Sequence, residues 1–122
     1  MPDYPRRPPL ARHLPLSVPV FQILLSLSDQ DLHGYAIIQD VRTRTDGEVT
    51  LTASTLYAAI KRLLDAGLID EVADRPSGIR DDERRRYYRI LPAGREVARL
   101  ETARLVRAIA MARQKRLTPR NA

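Results

Sequence analysis

Residues 52–69 read TASTLYAAIKRLLDAGLI. Thr52 suits an N-cap, because its hydroxyl can accept from a free N–H of the first helical turn. Leu56, Ile60, Leu63 and Leu64 follow at i, i+4, i+7 and i+8, which makes one apolar stripe. Gly67 supplies the left-handed residue that ends such a helix. Burying that stripe turns Ser54, Thr55, Tyr57, Ala58, Lys61, Arg62 and Asp65 outward. The free N–H groups and positive dipole at the start of a helix suit phosphates. Ala58 permits close approach to a groove and can touch a thymine methyl. The same residues also suit an ordinary solvated face, so the neighbouring segments have to decide.

Upstream, Ser17 caps a helix of about residues 18–28, with Pro19 tolerated in its first turn. SDQD (28–31) breaks it, and a second helix starts near His33 and ends near TRTDG (43–47), where Asp46-Gly47 makes a turn. EVTL (48–51) reads as a single strand. Downstream of Gly67, LIDEVA (68–73) and RRYYRIL (85–91) are strand-like and flank a charged, turn-rich stretch, a hairpin with a long tip. A long helix follows over 93–117. The order is helix, helix, strand, helix, hairpin, helix. That is the winged helix-turn-helix plan, a mainly α fold with a small β-hairpin (α+β), in which the third helix reads DNA. The expected divisions are a flexible Pro/Arg-rich arm (1–14), the winged domain (15–92), a C-terminal dimerisation helix (93–117) and a tail (118–122).

Composition limits the alternatives. A chain of 122 residues has room for one modest core. Its hydrophobic fraction is 43% and its aromatic fraction only 5%, so that core is built from Leu, Ile, Val and Ala. No cysteine is present, which excludes disulfides and thiolate-bound metal and fits a reducing cytoplasm. The apolar run 14–27 is broken by Pro15, Pro19, Gln22 and Ser17, and is too short for a bilayer. It reads as a core helix, neither signal peptide nor span. The net charge of +6 points to a polyanionic partner. It is unevenly spread: residues 17–74 carry −5, residues 75–92 carry +3 and residues 93–117 carry +5. A uniformly basic coat, as expected of an RNA- or ribosome-associated protein, is therefore disfavoured. A winged-helix protein–protein module with an acidic partner remains the other alternative.

Strand alternation over 85–90 puts Tyr88 and Ile90 inward and Arg85, Tyr87 and Arg89 outward, with Arg86 near the tip and able to swing out. A basic-aromatic wing beside a hydroxyl-bearing helix is suited to grip the backbone of duplex DNA. Asp81, Asp82 and Glu83 count against a tip buried deep in the minor groove. In the last helix, Ala98, Thr102, Leu105, Ile109 and Ala112 recur at spacings of four and three, a heptad-like seam. A small core covers only the start of so long a helix, so a second copy of the chain is its natural partner. No nucleophile–base pair, glycine-rich phosphate loop or metal-ligand cluster stands out. His33 reads as a cap or packing residue, and neither enzyme activity nor a cofactor is expected.

HGYAI (33–37), TASTLYAAIKRLLDAGLI (52–69) and RRRYYRILPAGR (84–95) together resemble the PadR family of transcriptional regulators, in the right order and over about residues 16–112. The resemblance implies a winged-helix repressor that dimerises through its last helix and binds a pseudo-palindromic operator in the cytoplasmic nucleoid. Carried over by position, it makes Ser54, Thr55, Tyr57 and Lys61 recognition-helix contacts. Tyr35 becomes a backbone contact, and Arg85, Arg86 and Tyr87 wing contacts. A single C-terminal helix fits the short subfamily. Two departures matter. Leu91 stands where the family often has Thr, so the last helix lacks its usual cap. No Trp is present, so the aromatic drug-stacking site of some members is not implied, and a small-molecule effector is left open.

Overall fold

The computed structural model describes residues 9–72 and 86–119. Local signals set most helix ends. The Ser17 hydroxyl accepts from the Val20 amide and opens α1 (Val18–Leu27). His33 caps α2 (Gly34–Arg44), its Nδ1 accepting from the Ala36 amide at 3.2 Å. Thr52 caps α3 (Ala53–Asp65) by accepting from the Thr55 amide. Gly67 sits at φ +73°, and the amides of Gly67 and Leu68 donate to the carbonyls of Leu64 and Leu63. These are the two bonds of a Schellman motif, and they close α3.

The core gathers the inward stripes of these helices. Ile23, Leu24 and Leu27 of α1, Ile37 and Val41 of α2, and Leu56, Ala59, Ile60 and Leu63 of α3 are buried together with Leu68 and Val97. Leu64 is only partly covered. Arg44 ties α2 to α1 through the Gln22 side chain and carbonyl and the buried Ser26 hydroxyl.

Three expectations are corrected. EVTL is not a strand: Thr45 captures the Val49 amide through its hydroxyl, and Leu51 turns into the core beside Leu56. A short β-prone run without an edge to pair with stays irregular. The additional strand is instead β1 (Leu32–His33), ahead of α2. It pairs antiparallel with β3 (Tyr87–Ile90), which in turn pairs with β2 (Ile69–Val72), so the sheet order is β1-β3-β2 with β3 central. The fold is mainly helical with a small three-stranded antiparallel sheet.

Pro9–His13, expected in the flexible arm, forms a 3₁₀ turn with Ala11 buried and Leu10 and Leu14 packed on the core. An apolar triplet beside the uncovered flank of the last helix has surface to bury. That helix, α4, runs over Pro92–Gln114, shorter at its end than expected, and Leu91 at its N-cap makes no side-chain bond. The tip residues Asp81, Asp82 and Glu83, and Arg85, lie outside the described residues.

Candidate nucleic-acid interface

The start of α3 is a cluster of exposed hydroxyls. Thr52 Oγ1 lies 3.2 Å from Ser54 Oγ and donates to Thr55 Oγ1 at 3.0 Å. These local bonds fix the hydroxyls and leave each one further capacity toward an incoming group. Lys61 stands a turn and a half further along, only loosely paired with Asp65 at 3.8 Å and highly exposed. Such an exposed pair contributes little and leaves the ammonium available.

Tyr57 leans from α3 across the first residue of α2. A Cβ at Gly34 would meet the Tyr57 hydroxyl at 2.6 Å and Leu56 at 3.1 Å, so the absence of a side chain at Gly34 is what lets the ring lie there. Tyr35 follows directly and is 64% exposed. Both tyrosines therefore border the same end of α2. Gly34→Ala is expected to displace Tyr57, with a stability loss on the order of 1 kcal/mol. Tyrosine fluorescence and urea denaturation measure the two effects. A large stability loss with unchanged fluorescence would contradict this account.

The root of the wing is more committed than alternation suggests. Tyr88 is buried, which pushes its phenol pKa up, with Glu71 adding to the shift. Tyr87 is half-buried with its ring edge-to-face on His33, centroids 5.5 Å apart. Arg89 is taken up by Asp31, at 3.2 Å from Nε and 2.8 Å from Nη2. Those bonds hold the guanidinium firmly in its charged form. Asp31 carries no local signal of this role, because its partner lies 58 positions away in sequence. Arg86 is exposed and only grazes Glu71 at 3.5 Å. Ser54, Thr55, Tyr57 and Lys61 thus lie on one helix with Tyr35 at its flank, and Arg86 and Tyr87 lie at the wing root.

On α4, Gly94, Val97 and Glu101 face the domain and are buried. The expected seam lies to one side: Ala98, Leu105 and Ala112 are half-buried, and Thr102 and Ile109 are exposed. Val106 and Met111 are exposed beside it. Among the described residues no helix is long and apolar enough to cross a membrane, and no group of side chains has the makings of a metal site.

The fold and these motifs have known counterparts. A family model described as the transcriptional regulator PadR-like family matches residues 23–107. A transcriptional regulator from Clostridium thermocellum is similar in structure, with a TM-score of 0.68 at 27% identity, over 79% of this chain and 87% of that one. A PadR family transcription regulator from Clostridium difficile gives a TM-score of 0.67 at 26% identity, over 80% of this chain and 97% of that one. An uncharacterized protein of Lysinibacillus sphaericus is 32% identical over 73 residues, 60% of this chain; the match spans 64% of that protein, just under two thirds of its length.

Proposed function

The chain belongs to the PadR-like family of transcriptional regulators, and we propose that it acts as a dimeric repressor on a pseudo-palindromic duplex operator. Family membership places it among regulators rather than enzymes. The observation that carries the proposal is the exposed hydroxyl cluster opening α3, together with the exposed Tyr35 and Tyr57 and with Arg86 at the wing root. In this reading Ser54, Thr55, Tyr57 and Lys61 enter the major groove, while Tyr35, Tyr87, Arg86 and Arg85 hold the backbone. Regulation by a small-molecule effector is part of the same proposal, and the working place of the protein is the nucleoid.

Selection of bound fragments from random duplex DNA at physiological salt tests the reading directly. Enrichment of a two-fold symmetric site is expected, and no enrichment would defeat it. Each phosphate contact releases counterions, so the logarithm of the affinity should fall by roughly 0.9 per contact for each tenfold rise in salt. Arg85→Ala with Arg86→Ala should weaken binding to all sequences about equally and flatten that slope by roughly one unit per lost contact. Thr55→Ala or Lys61→Ala should act mainly on the selected site. An unchanged slope in the double variant would remove the wing from the interface.

Dimerisation would run along Ala98, Thr102, Leu105, Ile109 and Ala112, of which Thr102 and Ile109 are exposed in the single chain. A two-fold pair would set two recognition helices about one DNA turn apart, roughly 34 Å. Ile109→Glu places a charge on the seam and should yield monomers in sedimentation experiments. A variant still fully dimeric, or a monomeric wild type at micromolar concentration, would overturn this arrangement.

A further inference from the structure

His33 is an uncommon residue to open a helix. Ser, Thr, Asp and Asn lead at that position, and a short side chain with one acceptor would serve the Ala36 amide as well. The imidazole accepts that amide through Nδ1 at 3.2 Å. A neutral imidazole has one acceptor and one donor, so the cap fixes the tautomer and the proton sits on Nε2. The two ring nitrogens point in diverging directions, and Nε2–H is therefore aimed away from the turn that Nδ1 closes. Nε2 makes no hydrogen bond with another described residue, and although His33 is half-buried, this nitrogen remains open to solvent.

Strand pairing decides which way the donor faces. Leu32 and His33 of β1 stand opposite Tyr88 and Tyr87 of β3. Cross-strand partners share a face of the sheet. Leu32 and Tyr88 pack on the core, so His33 and Tyr87 occupy the outer face, where their rings meet. Arg89 shares that face by alternation, but Asp31 takes it up and the two charges cancel. His33 keeps an uncommitted donor beside Tyr87, two residues ahead of the exposed Tyr35.

We propose that His33 is a further DNA contact, donating from a neutral imidazole through Nε2 to a phosphate oxygen of the duplex backbone. The inference rests on the duplex-binding reading above, and not on its operator selectivity. One side chain closes the start of α2 and, with the proton that the cap places, reaches the backbone beside Tyr35 and Tyr87. A phosphate contact positions the protein and reads no sequence. Because the donor is neutral, it adds affinity without adding to the salt dependence.

The test is run at about pH 8, above the ordinary imidazole range. It compares the wild type with His33→Asn and with the intact chain carrying a methyl group on His33 Nε2. Asn keeps a capping acceptor. The methylated chain keeps both the cap and the ring on Tyr87, and loses only the donor. Each is titrated with random-sequence duplex at low salt and with the site selected as above. Both altered chains should bind roughly tenfold more weakly, equally on the two duplexes, with the salt slope of the wild type. Imidazole nitrogen NMR of the wild type should show the proton on Nε2, with a saturable shift of its signal on adding duplex. A proton on Nδ1 would overturn the contact, as would wild-type affinity in the methylated chain, which would assign any loss in His33→Asn to packing. A loss confined to the selected site, or a slope flattened by about one unit, would overturn it as well. Where His33→Asn folds poorly, the methylated chain carries the comparison. Any of these results in a protein that binds duplex leaves the reading of the preceding subsection in place, whereas binding to no duplex removes both.

Discussion

Gly94→Ala should destabilise the protein by about 3 kcal/mol or more, enough to lower its melting temperature by more than about 10 °C. Gly94 lies in the first turn of α4, where the helix meets the end of α3 and the sheet. A Cβ there would run into the Leu68 carbonyl oxygen, and would lie 3.0 Å from its carbon and 3.1 Å from Ile90 Cγ1. The obstacle is backbone, so no rotamer change relieves it. Leu68 is also fixed from both sides. Its amide closes the Schellman turn on Leu63, and its carbonyl accepts from the Leu91 amide at 3.0 Å. Moving α4 outward would break that bond and uncover Val97, which is fully buried. Alanine is the better helix former by about 1 kcal/mol, and that gain is outweighed. Thermal and urea denaturation followed by circular dichroism would measure the change. A variant as stable as the wild type would show that α4 does not approach Leu68 this closely.

Glu101→Ala is the second large effect, a loss of about 2 kcal/mol. Only 2% of Glu101 is exposed, and both carboxylate oxygens are used. Oε1 accepts from the Leu16 amide at 3.1 Å and from Arg104 Nε at 2.9 Å, and Oε2 accepts from Arg104 Nη2 at 2.6 Å. Truncation leaves the Leu16 amide without its acceptor and frees the N-terminal segment from α4. Arg104 is partly exposed and regains water, so the full penalty of an orphaned buried charge does not apply. The hydrogen bonds from Arg104 hold the Glu101 pKa below its ordinary value; burial opposes them and the Leu16 amide reinforces them.

A carboxyl group with a lowered folded pKa stabilises the fold fully above its unfolded value of about 4.3, and that contribution is lost as pH falls through the lowered value. Wild-type stability should therefore decline in that acidic window more steeply than that of Glu101→Gln, which has no charge to lose there. Parallel pH profiles for the two proteins would refute this role.

How legible all this was in the sequence depended on distance along the chain. The caps at Ser17, His33 and Thr52, the turn at Gly67 and the buried stripe of α3 each depend on residues within a few positions of one another. Their physics is complete in a short window: one hydroxyl or imidazole and one free amide, or one left-handed glycine after an apolar run. The missing side-chain cap at Leu91 came instead from the family resemblance, in which Thr often stands at that position. These signals, with the order of elements, were enough to specify a winged helix and to put Ser54, Thr55, Tyr57 and Lys61 on one face.

What the tertiary structure decided involves partners far apart or surfaces that are covered only once the chain folds. Leu32–His33 is too short to be a strand by propensity and becomes one because β3 offers it an edge, whereas EVTL has the propensity and no edge. Pro9–His13 reads as arm until α4 provides a surface for Ala11 and Leu14. Arg89 reads as a free wing cation until Asp31, 58 positions away, takes it up. Glu101 and Arg104 look like an ordinary exposed pair on one helix turn, and become a buried tie only because Leu16, 85 positions away, closes over them. In each case the local chemistry allowed more than one outcome. The choice fell to burial, which a sequence window does not contain because it is a property of the surface that arrives from elsewhere in the chain.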